Sequence, residues 1–169
     1  MSVAARWLGR LWPRRYRRVE LLRQIQEGRI QVAGRVEPLE TIEDPLTGEP
    51  CVAVEYRAWP PATTIGMDGA TQHAGRAYQL DARQAVEFML TDETASILVR
   101  PPVGEDVEAI HRELLQRYGV GLRAETEHVT AGAHIRLEGR VTYVRGEKGS
   151  PLREAPYAAI VEADRFWLA

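Results

Sequence analysis

The chain has 169 residues, a formal net charge of −2, 44% hydrophobic and 27% charged residues, a single cysteine, and no apolar run long enough to cross a membrane as a helix. Such a chain is neither disordered nor internally disulfide-bonded, and its length suits one domain or two small pseudo-repeats sharing a core. The charge is uneven: residues 1–24 carry seven arginines against Glu20, a balance of +6, which leaves −8 for residues 25–169. A basic arm ahead of an acidic body points to an anionic partner for the arm, or to contact between arm and body.

Residues 1–27 read as a basic amphipathic arm. Val3, Ala4, Trp7, Leu8, Leu11 and Trp12 recur at helical spacing, with Arg6 and Arg10 flanking the stripe and Pro13 ending it. The same two arginines interrupt the apolar region that a secretory signal needs. Tyr16, Val19, Leu22 and Ile25 make a second stripe and predict a helix over Arg14–Glu27, stopped by Gly28. Two readings of the arm stay open. It docks on the body, or it lies at a membrane surface with Trp7, Leu8, Leu11 and Trp12 at the headgroup boundary and Arg10, Arg14 and Arg15 on lipid phosphates. Nucleic-acid binding by the arm has less support, because no interleaved aromatic and basic residues continue into the strands.

The body, residues 28–169, begins with a strand in which Ile30, Val32 and Val36 alternate across Gly34. An acidic connection with Glu37, Glu40, Glu43 and Asp44 leads through the turn residues Pro45, Thr47, Gly48 and Pro50 to a strand over Cys51–Trp59. Alternation there puts Val52, Val54 and Tyr56 on one face and Cys51, Ala53 and Glu55 on the other. A long hairpin follows, with Met67-Asp68-Gly69 near its tip. A shorter one joins Glu87–Leu90 to Ser96–Val99 through Thr91–Thr94. The spacing of Val107, Ile110, Leu114 and Tyr118 predicts a helix over Asp106–Tyr118 with Gly119 as its stop, and Leu122–His128 reads as a further strand.

One pattern occurs twice. Ile30–Val36 and Ile135–Val141 both run into Gly-Arg-Val, and each is followed by a Pro-Leu loop, a second proline and a small-apolar strand closing near a glutamate. The copies span about residues 28–59 and 133–168. They predict a mainly β, α+β fold: a pseudo-two-fold, duplicated antiparallel barrel or curved sheet, broadly of the oligonucleotide-binding type, with one helix between the halves and a helical arm in front.

Gly34-Arg35-Val36, the run Asp44-Pro45-Leu46-Thr47-Gly48-Glu49-Pro50-Cys51-Val52, Trp59, Phe88–Asp92 leading to Leu98–Pro101, and Arg123–Glu127 leading to Gly132 and Gly139 resemble the GIDE domain. This "beside a membrane" domain occurs in membrane-anchored E3 ubiquitin ligases of mitochondria and chloroplasts and in bacterial proteins. The resemblance covers residues 28–168. It implies a module beside a membrane, which in the ligases is joined to transmembrane helices and a RING finger. This chain has neither of these, and Ala95 stands where a hairpin glycine is expected.

Candidate chemistry is sparse. One cysteine cannot supply the paired zinc ligands of a RING, so ligase activity of that type is excluded. Cys51 could act as a nucleophile beside His73, His111, His128 or His134, but its small-apolar strand is what a buried structural cysteine has. His128 and His134 flank a turn and could face one another as a two-ligand metal site. Asp44 reads as a cap on the Pro45-Leu46 turn. No phosphate loop is present, and neither a cofactor nor a metal is expected. The recognition surface expected here is the pair of stiffened loops, Pro45-Leu46-Thr47-Gly48 and Pro151-Leu152-Arg153; the competing reading, which has slightly more support, is that both leucines cap the ends of the shared core.

These readings converge on a non-enzymatic interaction or sensor module at the cytoplasmic face of a membrane or on a membrane-protein partner. The alternatives are a component of a ubiquitin-like conjugation pathway with a reactive Cys51, and nucleic-acid binding through a barrel face.

Overall fold

The computed structural model describes residues 16–61, 63–65, 71–73, 79–146 and 155–169; for 63–65 and 71–73 it describes the backbone course alone. In chain order the strands are β1 (Arg17–Arg18), β2 (Gly28–Pro38), β3 (Ile42–Glu43), β4 (Pro50–Cys51), β5 (Ala53–Trp59), β6 (Thr63–Ile65) and β7 (Thr71–His73). After them come β8 (Leu80–Ala85), β9 (Phe88–Thr91), β10 (Ser96–Arg100), the helix α1 (Val107–Tyr118), β11 (Arg123–Val129), β12 (His134–Val144) and β13 (Ala159–Leu168).

Five of these strands close a barrel in the order β2–β9–β10–β13–β12–β2. Every neighbour is antiparallel except β10 and β13, which run parallel. With α1 between its third and fourth strands, this is the course of an oligonucleotide-binding-type barrel, a fold that carries no function by itself. Closure pairs all five strands on both sides and leaves no open edge among them. The interior is aliphatic and aromatic. Ile30, Val32, Val36, Leu90, Ile97, Val99, Ile135 and Leu137 are buried around Phe88 and Phe166, whose rings meet edge to face at 5.7 Å.

The duplicated pattern is visible in the register. Val32 pairs with Leu137, so a local two-fold axis through that pair exchanges Ile30–Val36 with Ile135–Val141. Both glycines admit a neighbouring carbonyl. A Cβ on Gly34 would lie 2.9 Å from the Thr91 oxygen, and one on Gly139 would lie 2.4 Å from the Glu162 oxygen. The axis relates these contacts, because β9 flanks β2 as β13 flanks β12. The later strand of each copy behaves differently. β13 joins the barrel, whereas β5 pairs with β8 and β11 in a separate sheet, so the repeat does not extend to the later strands.

That three-stranded sheet, β11–β5–β8, forms a second lobe with α1. Val54, Tyr56, Ala58 and Ala82 meet Val107 and Leu114, with Ile110 and Tyr118 alongside, which is the apolar stripe expected of the helix. Asp106 caps it, its Oδ1 accepting the Ala109 amide at 2.9 Å, and Gly119 ends it at φ +56°. Cys51 packs with Val54 and Tyr56, not opposite them. The chain bends at Val52, which turns into the barrel core and donates its amide to the Val129 carbonyl.

The expected helix over Arg14–Glu27 is replaced, among its described residues 16–27, by β1 running parallel to β2 and a 3-10 turn at Leu22–Gln24. Val19, Leu22 and Ile25 are buried in the barrel core, so the stripe docks as its spacing requires. The helix fails because the barrel takes the backbone donors: the Val19 amide bonds the Gln31 carbonyl, and the Leu22 amide bonds the Asp92 carboxylate at 2.7 Å. Asp92 also accepts the Thr94 and Ala95 amides and the Thr94 hydroxyl, which closes the β9–β10 turn without a glycine at position 95. No helix among the described residues is long and apolar enough to cross a membrane.

Candidate functional site

β3 and β4 form a short hairpin whose tip is the loop Asp44–Glu49. The sequence shapes that tip locally. Asp44 Oδ1 accepts the amides of Leu46 at 2.7 Å and Thr47 at 3.1 Å, an Asx turn set up by the intervening proline. The Gly48 amide returns to the Asp44 carbonyl at 2.8 Å, and Gly48 has the φ of +71° that this return demands.

β11 then clamps the loop from below. His128 Nδ1 lies 2.6 Å from Asp44 Oδ2, and Nε2 lies 3.1 Å from Glu49 Oε2. Thr126, two residues back on the same face, adds a side-chain hydrogen bond to Asp44. Asp44 is only 1% exposed, and burial alone would raise its pKa. The bonds from Thr126, Leu46, His128 and Thr47 outweigh burial and hold the carboxyl below the ordinary carboxylate range. A fully buried acid thus stays ionised as the hub of the loop, while Leu46, directly beside it, remains 40% exposed.

Two further polar groups lie beneath. The Tyr56 hydroxyl and His111 Nδ1 share a hydrogen bond of 2.9 Å, with the rings edge to face. Burial raises the Tyr56 pKa and lowers that of His111, so both are neutral at physiological pH. Cys51 is fully buried, and burial pushes its thiol up to about 11, with the charges of Asp44 and Glu49 adding to the shift. A thiol so placed is not the thiolate that nucleophilic chemistry requires, and no histidine among the described residues is hydrogen-bonded to it.

The two histidines considered as a metal pair separate. His128 spends both nitrogens on carboxylates in the lobe, and His134 stands opposite Arg35 on the barrel. No group of three or more metal-ligating side chains among the described residues is placed to hold an ion. Of the loops expected to recognise a partner, Pro45, Leu46, Thr47 and Gly48 form the tip just described. Pro151, Leu152 and Arg153 lie outside the described residues, as do Trp7, Leu8, Arg10, Leu11, Trp12, Arg14 and Arg15 of the arm. The clamp of Thr126 and His128 was not foreseen. Its one trace in the sequence is that two hydrogen-bonding side chains share a strand face two residues apart. Compared with protein-family models and with curated proteins, the chain matches none.

Proposed function

We propose that this chain is a non-enzymatic interaction module of the GIDE type that works at a membrane surface and presents the Asp44–Glu49 loop to a protein partner there. The observation that carries the reading is the contrast within that loop: a buried, ionised Asp44 fixes the backbone while Leu46 points its apolar side chain outward. A loop already held in one shape loses little entropy on docking, so a single leucine anchor counts for more than it would on a free loop. The Trp/Arg composition of residues 1–15 supports placement at an anionic membrane on its cytoplasmic side. Burial of Cys51 speaks against the conjugation-enzyme reading.

Two measurements test the two parts of the proposal. In co-sedimentation with vesicles containing phosphatidylglycerol, the full chain binds, and removal of residues 1–15 weakens binding; absence of binding by the full chain ends the membrane part. A photo-crosslinking residue at position 46 gives a discrete protein adduct in cells, and one at the exposed Val120 of the lobe does not. Equal, diffuse labelling from both positions ends the loop part.

A further inference from the structure

The two outer strands of the lobe sheet differ in what their free edges meet. β8 and β11 flank β5, and an antiparallel strand turns its main-chain groups alternately toward one side and the other. On β8 the Arg83 carbonyl points away from β5 and accepts the Glu105 amide at 2.7 Å, with Gly104 packed against the same oxygen. That edge is covered. The register then fixes the groups on β11. Arg83 stands opposite Glu55 but turns its carbonyl from it, so Glu55 exchanges main-chain bonds with Glu127 on the other side, and Arg123, Glu125 and Val129 are spent on β5 in the same way. The amides and carbonyls of Ala124, Thr126 and His128 are left facing out of the sheet, where no described main-chain group meets them.

An open edge is a template for another strand, and proteins blunt such edges with lysine, proline or a bulge. Arg123–Val129 has none of these, and its seven residues keep an unbroken register with β5. It carries instead a row of charges on its outer face, Arg123, Glu125 and Glu127. Glu125 is answered within the chain, by Arg123 at 2.7 Å and by Arg57 opposite it on β5. Among the described residues Glu127 meets only Arg57, at 3.9 Å and beyond hydrogen-bond reach. Arg123 lies over the Trp59 ring, 4.9 Å from its centre, and remains exposed.

We infer that this edge pairs with the same edge of a second copy of the chain, antiparallel about a two-fold axis at Glu125, so that two three-stranded sheets become one continuous sheet. The charges select that register. Ala124 exchanges main-chain bonds with the partner's Thr126, and Arg123 lies opposite the partner's Glu127, once on each side of the axis. The two Glu125 carboxylates that meet at the axis each have Arg123 and Arg57 of their own chain beside them. An axis at Thr126 would instead set Glu125 against the partner's Glu127 at both ends, which like-charge repulsion disfavours. On the inner face the side chains nearest the axis are the small Ala124 and Thr126. The inference is independent of what the Asp44–Glu49 loop docks against, although a pair would present two such loops at once.

Sedimentation velocity over a concentration series tests it on the full chain. The parent sediments as a dimer at high concentration. Ala124→Pro removes an amide that points out of the sheet and is not bonded to β5, a place where an edge strand accepts proline, and this variant stays monomeric with unchanged circular dichroism. Should Ala124→Pro fail to fold, the charges decide. Arg123→Glu weakens dimerisation on the order of tenfold, and Arg123→Glu/Glu127→Arg restores it. The register has its own readout. Under mild oxidation Glu125→Cys forms an intermolecular disulfide, since the pair at the axis has Cα atoms about 4.5 Å apart, whereas Glu127→Cys, roughly 14 Å from its counterpart, does not. A parent that is monomeric at every concentration overturns the inference, as does a dimer that survives both Ala124→Pro and Arg123→Glu. Equal crosslinking from positions 125 and 127 overturns the register.

Discussion

The barrel and the lobe solve the problem of polar groups in opposite ways. Inside the barrel the described side chains are hydrocarbon, and the charges of β2, β12 and β13 are turned outward. The lobe instead encloses Asp44, the Tyr56–His111 pair and a cysteine among its apolar residues, on one face of β5, whose other face holds the buried Glu55 with Arg57 and Arg83. A dry, closed sheet is set by shape and tolerates little change of volume. A core built on hydrogen bonds is set by partners and fails when one is removed.

The sharpest way to break the barrel is therefore steric. Gly139→Val drives a side chain against the Glu162 carbonyl and costs on the order of 3 kcal/mol or more, read as a fall in the denaturation midpoint; a change below about 1 kcal/mol would mean that β12 and β13 can separate freely. In the lobe the corresponding change is chemical. Asp44→Ala removes the acceptor of two amides and of His128, and is expected to cost about 2–3 kcal/mol. Hydrogen exchange should then quicken in β5 and β11 before the barrel strands; uniform quickening would show that the two regions unfold as one.

Acid gives a milder probe of the same contrast. The Asp44 carboxyl is held low in the folded state, so its contribution is complete above the ordinary carboxylate range and is lost as pH falls through its depressed folded value. Asp92, at the β9–β10 turn, is shifted the same way by its own hydrogen bonds against the opposing effect of burial. Asp44→Asn should flatten the acid limb of the stability curve measured on the lobe and leave the limb due to Asp92. The smallest perturbation is thiol labelling. Native Cys51 stays unmodified at neutral pH and labels on unfolding, and rapid native labelling would contradict its burial.

Much of this architecture was legible in the sequence, for reasons that differ by element. Alternation over Ile30–Val36 and Ile135–Val141 gave both long barrel strands, and Asp106 with Gly119 marked the helix ends, because these signals are local. The stripe Val19–Leu22–Ile25 showed that the segment docks but not its backbone form, which depends on acceptors contributed by Gln31 and Asp92 elsewhere in the chain. The repeat located the pair β2 and β12 and overextended to β5, since a strand's own residues do not say which sheet it enters. Asp44 was identified as a turn cap from its neighbours. That it is buried and clamped by His128 required a contact spanning 84 positions.

β2 pairs with β1, β9 and β12, and β10 gains its second neighbour only from β13. The strands that close this cylinder are thus separated in sequence by most of the chain, with the lobe interposed. During synthesis β2 and the β9–β10 hairpin emerge long before β12 and β13, leaving two hydrogen-bonding edges without partners in the interval. Folding should be slow for the chain's size, limited by a late zippering event between distant segments. The nascent form most exposed to self-association is the one in which the lobe is already built and the cylinder is still open.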